Sequence, residues 1–157
     1  MGVAGGADEA GASRIQTMDS DSCLLLLRSV AIGRLAWSTA DLEAVVIPVN
    51  FALDGRTVVV KTTRGGELVE AVEAGRTLTF EADDMEPALR TGWSVLVTGR
   101  AELVTDPGVV HYLERLRLAP WARLPDPLFV RLVPERVTGR RLPMHPGGVT
   151  AERLDEP

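Results

Sequence analysis

The stretch that decides the fold is Ala44-Val45-Val46-Ile47-Pro48-Val49-Asn50-Phe51-Ala52-Leu53-Asp54-Gly55-Arg56-Thr57-Val58-Val59-Val60-Lys61-Thr62-Thr63-Arg64-Gly65-Gly66. Two runs of β-branched and aromatic residues flank Asp54-Gly55. That dipeptide tolerates positive φ at both turn positions, so the stretch reads as a β-hairpin. Pro48 lies inside the first run and has no N–H to give a neighbour, which predicts an edge, a bulge or a barrel rim. After the return strand come a lysine, two threonines, an arginine and two glycines, and then a short helical pattern to about Ala74 with Leu68, Val69 and Val72 as its apolar stripe.

Outward from the hairpin the elements are short. Residues 19–30 read as a helix capped by Asp19, Ser20 or Asp21, with Cys23, Leu24, Leu27 and Val30 at helical spacing. Ile32–Ser38 is a strand. Arg76–Ala82 is another, followed by an acidic loop, Asp83-Asp84-Met85-Glu86-Pro87. Residues 92–105 form a long strand with bulk on both faces, which predicts that both faces are covered. Asp106-Pro107 opens a helix as cap and first-turn proline. A proline-bearing loop spans 120–127, and Leu128–Val137 is the last strand. The count is about six strands and three short helices. The class is mainly β with short helices, and hairpin linkage favours an antiparallel barrel formed by residues 31–105. The expected organisation is a disordered leader over 1–18, one domain over 19–142 and a flexible tail over 143–157.

Composition narrows the function classes. The net charge of −5 argues against a nucleic-acid binder, which would present a basic face. Sixteen arginines accompany a single lysine, Lys61. One cysteine, Cys23, gives neither an internal disulfide nor a CxxC metal pair, which suits a reducing cytoplasm. No apolar run reaches membrane-spanning length. No nucleophile elbow, Walker loop or dinucleotide fingerprint occurs. His111 and His145 show no metal-ligand spacing, and no side chain stands out as a catalytic acid or base.

Lys61-Thr62-Thr63-Arg64-Gly65-Gly66 is the candidate anion seat. Hydroxyls and cations meet glycines at the start of a helix, where backbone N–H groups are unpartnered. Glu67 competes, because the same helix end stabilises its carboxylate. Taken alone, the spacing equally fits a strand-to-helix turn with solvated charges. Pro48-Val49-Asn50 on the facing strand could flank a planar ring, or simply be a barrel strand with a rim proline. Trp93-Ser94 could add a wall and a hydroxyl, or Trp93 is a core aromatic.

The order of motifs resembles a known family. A Leu-rich helix is followed by Gly33-Arg34-Leu35-Ala36, Pro48-Val49-Asn50-Phe51, Lys61-Thr62-Thr63 with glycines and Leu68, Arg90-Thr91-Gly92-Trp93-Ser94-Val95 with Gly99, and Val130-Arg131-Leu132-Val133-Pro134 with Val137-Thr138-Gly139-Arg140. Over about residues 20–142 this resembles the pyridoxamine 5′-phosphate oxidase-like family of FMN-binding split-barrel proteins. The resemblance implies a six-stranded antiparallel split barrel, a homodimer and FMN in the clefts between protomers. It implies that Pro48, Val49 and Asn50 flank the flavin ring and that Lys61, Thr62 and Thr63 reach its ribityl and phosphate. Arg64, Gly65, Glu67 and Leu68 would form the phosphate turn, and Trp93 and Ser94 would reach the partner's flavin. Glu67 departs from the pattern, since many relatives are basic there. The family includes F420 and haem binders. The expectation is therefore an FMN-dependent oxidoreductase of unknown substrate, with an F420-dependent reductase or a non-catalytic binding or regulatory dimer as alternatives.

Overall fold

The computed structural model describes residues 14–144. The elements run β1 (Gln16–Met18), α1 (Ser20–Leu27), β2 (Ile32–Ser38), β3 (Ala44–Asp54), β4 (Thr57–Thr63), α2 (Glu67–Glu73), β5 (Thr77–Glu86), β6 (Thr91–Leu103), α3 (Pro107–Glu114) and β7 (Pro127–Leu142). The sheet order is β1-β7-β4-β3-β2-β5-β6, and β6 pairs back onto β7. All pairings are antiparallel. The result is a closed six-stranded antiparallel barrel, β2 to β7, with β1 added at one end. Residues 31–105 alone do not complete it: β7 supplies the closing strand between β4 and β6.

The elements form where local chemistry allows. Gly55 sits at φ +60° in the β3–β4 turn, a backbone that side chains with a Cβ adopt at a cost. Asp19 caps α1 by accepting from the Ser22 amide at 2.9 Å, and the same contact holds its carboxyl below the usual range. Asp106 caps α3 by accepting from the Val109 amide at 2.9 Å, with Pro107 leading the helix.

Inward-facing side chains fill the barrel, among them Leu35, Phe51, Val58, Val60, Phe80, Val95 and Val97. α1 contributes Cys23, Leu24 and Leu27 to this core, and α2 contributes Leu68, Ala71 and Val72. Burial pushes the Cys23 thiol pKa up, so it behaves as a small apolar filler. A second cluster lies outside the wall, where Leu113 of α3 and Leu118 pack on Val59, Val104 and Phe129. Among the described residues no helix is long and apolar enough to cross a membrane.

Three expectations change. Gln16–Met18, placed in the leader, form β1, because the long β7 offers Arg141, Arg140 and Gly139 as a pairing template. The expected leader at 1–13 and tail from 145 lie outside the described residues. The acidic segment Asp83–Glu86 is strand, not loop, since pairing to β6 continues to Glu86↔Thr91. Arg34 steadies it, donating to Glu81 and Asp83 at 3.1 Å each. Finally, within one chain only one face of β6 is covered: Trp93, Val95 and Val97 are buried, whereas Leu96 is 42% exposed on the outer face.

Candidate functional site: the split between two strands

The β3–β4 hairpin is zipped for only part of its length. Pairing runs from Asp54↔Thr57 to Phe51↔Val60 and stops. Above that point Ala44–Asn50 keep β2 as their partner, while Lys61, Thr62 and Thr63 pair with Phe129, Leu128 and Pro127 of β7. Pro48 offers no N–H for a second ladder, while β4 keeps β7 on its other edge throughout, from Val58↔Leu132 to Thr63↔Pro127. Continuing the interrupted register would set Asn50 against Lys61, Val49 against Thr62 and Pro48 against Thr63. These residues are the two lips of a split in the barrel wall. Strand alternation then sorts them by face. Val49 packs toward the core, so Pro48 and Asn50 point outward. Val58 and Val60 are core residues and Val59 belongs to the outer cluster, so Lys61 and Thr63 point outward and Thr62 inward.

Positive charge gathers at the β4 lip. The Lys61 ammonium stands 4.8 Å above the Phe129 ring, a cation–π contact. Among the described residues it has no carboxylate partner. Arg64 pairs with Asp126, Nε donating to Oδ2 at 3.0 Å, with both side chains more than half exposed. A cavity of about 390 Å³ adjoins this lip, lined by Lys61, Arg64, Val104, Val110, Glu114 and Phe129. That volume is within the range of small-molecule sites, about 300–1,000 Å³.

The helix end contributes less than its sequence implied. α2 has seven residues, and Glu67 and Glu70 already occupy its first turn. Gly65 makes the turn with left-handed backbone, φ +76°. Glu67 is exposed, and Leu68 is 3% exposed in the barrel core, where its side chain can touch no ligand. Lys61 and Arg64, rather than the helix, supply the cationic character of the lip.

Trp93 and Ser94 stand apart from these residues. Lys61 meets β7 near its start, at Phe129, whereas Trp93 and Ser94 meet it near its end, at Arg141 and Arg140. The Trp93 side chain is in the barrel core. Within one chain the split thus unites Pro48, Val49 and Asn50 with Lys61, Thr62, Thr63 and Arg64, and leaves Trp93 and Ser94 elsewhere. Sequence reading missed three neighbours of the split: Phe129 beneath Lys61, Asp126 on Arg64, and Trp121, whose amide donates to Asn50 Oδ1 at 2.9 Å. Each lies far along the chain from its partner, so no local pattern announces it.

The donor set suits an anion beside a planar ring: an ammonium with no carboxylate partner among the described residues, a guanidinium in an exposed pair, the outward hydroxyl of Thr63, and an apolar lip with one carboxamide.

Comparison with known proteins agrees with this architecture. The family model described as pyridoxamine 5′-phosphate oxidase matches residues 19–141. An uncharacterized protein of Mycobacterium tuberculosis is 40% identical over 141 residues, covering 87% of this chain and 91% of that protein. Among solved structures, an FAD binding protein from Mycobacterium smegmatis superposes with a TM-score of 0.70 at 36% identity, covering 82% of this chain and 100% of the other. A conserved protein of unknown function from Corynebacterium diphtheriae superposes with a TM-score of 0.68 at 29% identity, covering 82% of this chain and 98% of the other.

Proposed function

The chain belongs to the pyridoxamine 5′-phosphate oxidase family, and from that premise we propose that it is a flavin-binding oxidoreductase holding FMN at the split of a homodimeric barrel. The observation that carries this reading is the end of β3–β4 pairing at Phe51 and Val60. It leaves an apolar lip on one side and a cationic lip on the other. The FAD binding neighbour from Mycobacterium smegmatis supports a flavin in general.

A bound flavin would supply the electron or hydride transfer. The chain's own residues bind and orient. Lys61, Thr63 and Arg64 would hold the phosphate on the outer face of the β4 lip. Pro48 and Asn50, with the backbone of Val49 between them, would border the ring system and meet its polar edge. None of these side chains is an acid or base suited to proton transfer at neutral pH, so no catalytic residue is assigned.

The dimer draws on the uncovered outer wall. Val46 is 61% exposed and Leu96 42% exposed there, beside the Arg34–Glu81 and Arg34–Asp83 ion pairs. Ser94 pairs with Asp83 on the same wall, so a partner packed there would bring its own Ser94 toward the split. A second reading is a dimeric binding or regulatory module with a weakened flavin site. It rests on Glu67 and Glu70 beside the lip and on the engagement of Arg64 by Asp126.

The test is the visible spectrum of the purified protein, mass spectrometry of any small molecule released on denaturation, and titration with FMN, FAD and F420. A flavin band or saturable FMN uptake is expected. Uptake of F420 alone would move the assignment to deazaflavin chemistry, and no uptake of any of the three would leave the binding-module reading.

A further inference from the structure

One connecting segment touches both lips of the split. Leu118 and Leu128, each buried, anchor its ends. On the β3 side, the Trp121 amide donates to Asn50 Oδ1 at 2.9 Å. On the β4 side, the Arg64 amide donates to the Asp126 carbonyl at 3.2 Å, and Arg64 Nε donates to Asp126 Oδ2 at 3.0 Å. Asn50 and Lys61 are the first residues beyond the zipped hairpin, and Arg64 follows three residues on. The segment therefore spans the opening and is tied to each side by polar contacts.

Two further features set it apart from an ordinary loop. Left-handed backbone at Arg117 (φ +52°) and Asp126 (φ +44°) brackets it, a conformation uncommon outside glycine and best tolerated by Asp and Asn. Between those points the indole of Trp121 is 79% exposed. A single exposed apolar side chain is unremarkable. Here, however, the residue's own amide is tied to a side chain of the β3 lip.

We propose that residues 119–126 form a ligand-responsive strap across the split, and that Trp121 is a binding residue that packs against the ring system of a flavin held there. The inference rests on the flavin reading. Aromatic stacking would bury the indole, whose large apolar surface is solvated in the free protein. At the other end, the exposed Arg64–Asp126 pair is of a kind worth little in water. A phosphate offers the guanidinium charge-assisted bonds that compete with Asp126. Phosphate binding at Arg64 thus loosens one tether while the ring recruits Trp121 at the other.

The experiment uses the full chain labelled with 5-fluorotryptophan and followed by fluorine NMR. The resonance missing in Trp121→Phe identifies Trp121, and buried Trp37 is the internal control. On adding FMN or FAD, the Trp121 resonance should shift more than that of Trp37. By equilibrium binding, Trp121→Ala should weaken flavin affinity about tenfold, the scale of one aromatic stack. Asp126→Asn, which also tolerates the left-handed backbone, should tighten it several-fold by freeing Arg64. If flavin remains with the protein but the Trp121 resonance stays fixed, or either variant binds as wild type does, the strap is overturned and the flavin reading stands. A Trp121 resonance that follows protein concentration and ignores flavin assigns the indole to a contact between copies and also overturns it. Absence of flavin uptake removes both.

Discussion

The two halves of the β3–β4 hairpin are built from similar residues and do different work. In the zipped half, Phe51–Asp54 pair with Thr57–Val60. Phe51 packs at 4.6 Å from Phe80, and Val58 and Val60 are buried with them. In the open half, Ala44–Asn50 pair with β2, Lys61–Thr63 continue the β7 pairing that Val58–Val60 also make, and Val46 and Pro48 are exposed. The sequence alternates β-branched residues through both, so propensity does not separate them. What separates them is one missing donor at Pro48 and the partner of β3, which is β2 over Ala44–Asn50 and β4 over Phe51–Asp54. A barrel can thus expose a cleft without losing its core, because each strand that leaves one neighbour keeps another.

The comparison breaks first in the zipped half. Phe51→Ala should cost about 3–5 kcal/mol by removing a buried ring and leaving a cavity. Val49→Ala in the open half should cost less than half as much, and chemical denaturation of the two variants measures the gap. Next, Lys61→Glu should raise the FMN dissociation constant at least about tenfold, the scale of a charge-assisted contact. It should barely move Tm, because Lys61 is at the lip and not in the core. Gly55→Ala should cost about 1 kcal/mol, since the turn holds φ +60°. There is space for the methyl group, so the loss should come from the backbone alone.

The smaller effects sharpen the picture. Glu67→Lys should tighten FMN binding several-fold, and no change would place the phosphate away from α2. Tyr112 ties α3 to the zipped half by donating to Asp54 Oδ1 at 2.9 Å. That hydrogen bond raises the Tyr112 pKa, so its contribution is complete below the unfolded tyrosine value of about 10 and fades as pH climbs through the folded value. Tyr112→Phe should therefore lower Tm slightly at neutral pH, and the difference should vanish in strongly alkaline buffer.

Much of the fold was legible in local chemistry. The Asp106-Pro107 cap and the change of period after residue 30 mark elements that the structure places closely, and the hairpin read at Asp54-Gly55 turns one residue on, at Gly55-Arg56, because Asp54 still pairs with Thr57. Gln16–Met18 and Asp83–Glu86 were not legible, because each is strand only by virtue of a long partner, β7 or β6. The segments that form the two lips, Pro48–Asn50 and Lys61–Arg64, were legible, where turn and strand signals coincide. Leu68 was read as part of the phosphate turn, but apolar burial on α2 claims its side chain. Trp121, Asp126 and Phe129 were invisible, because they reach the split through tertiary pairing that no local period encodes.

The most direct test of the central claim, that the open lips seat the phosphate of a flavin, is the affinity of the protein for FMN against riboflavin. FMN should bind at least about tenfold tighter, with the advantage lost in Lys61→Gln. Equal affinities for the two in the wild-type protein would contradict it.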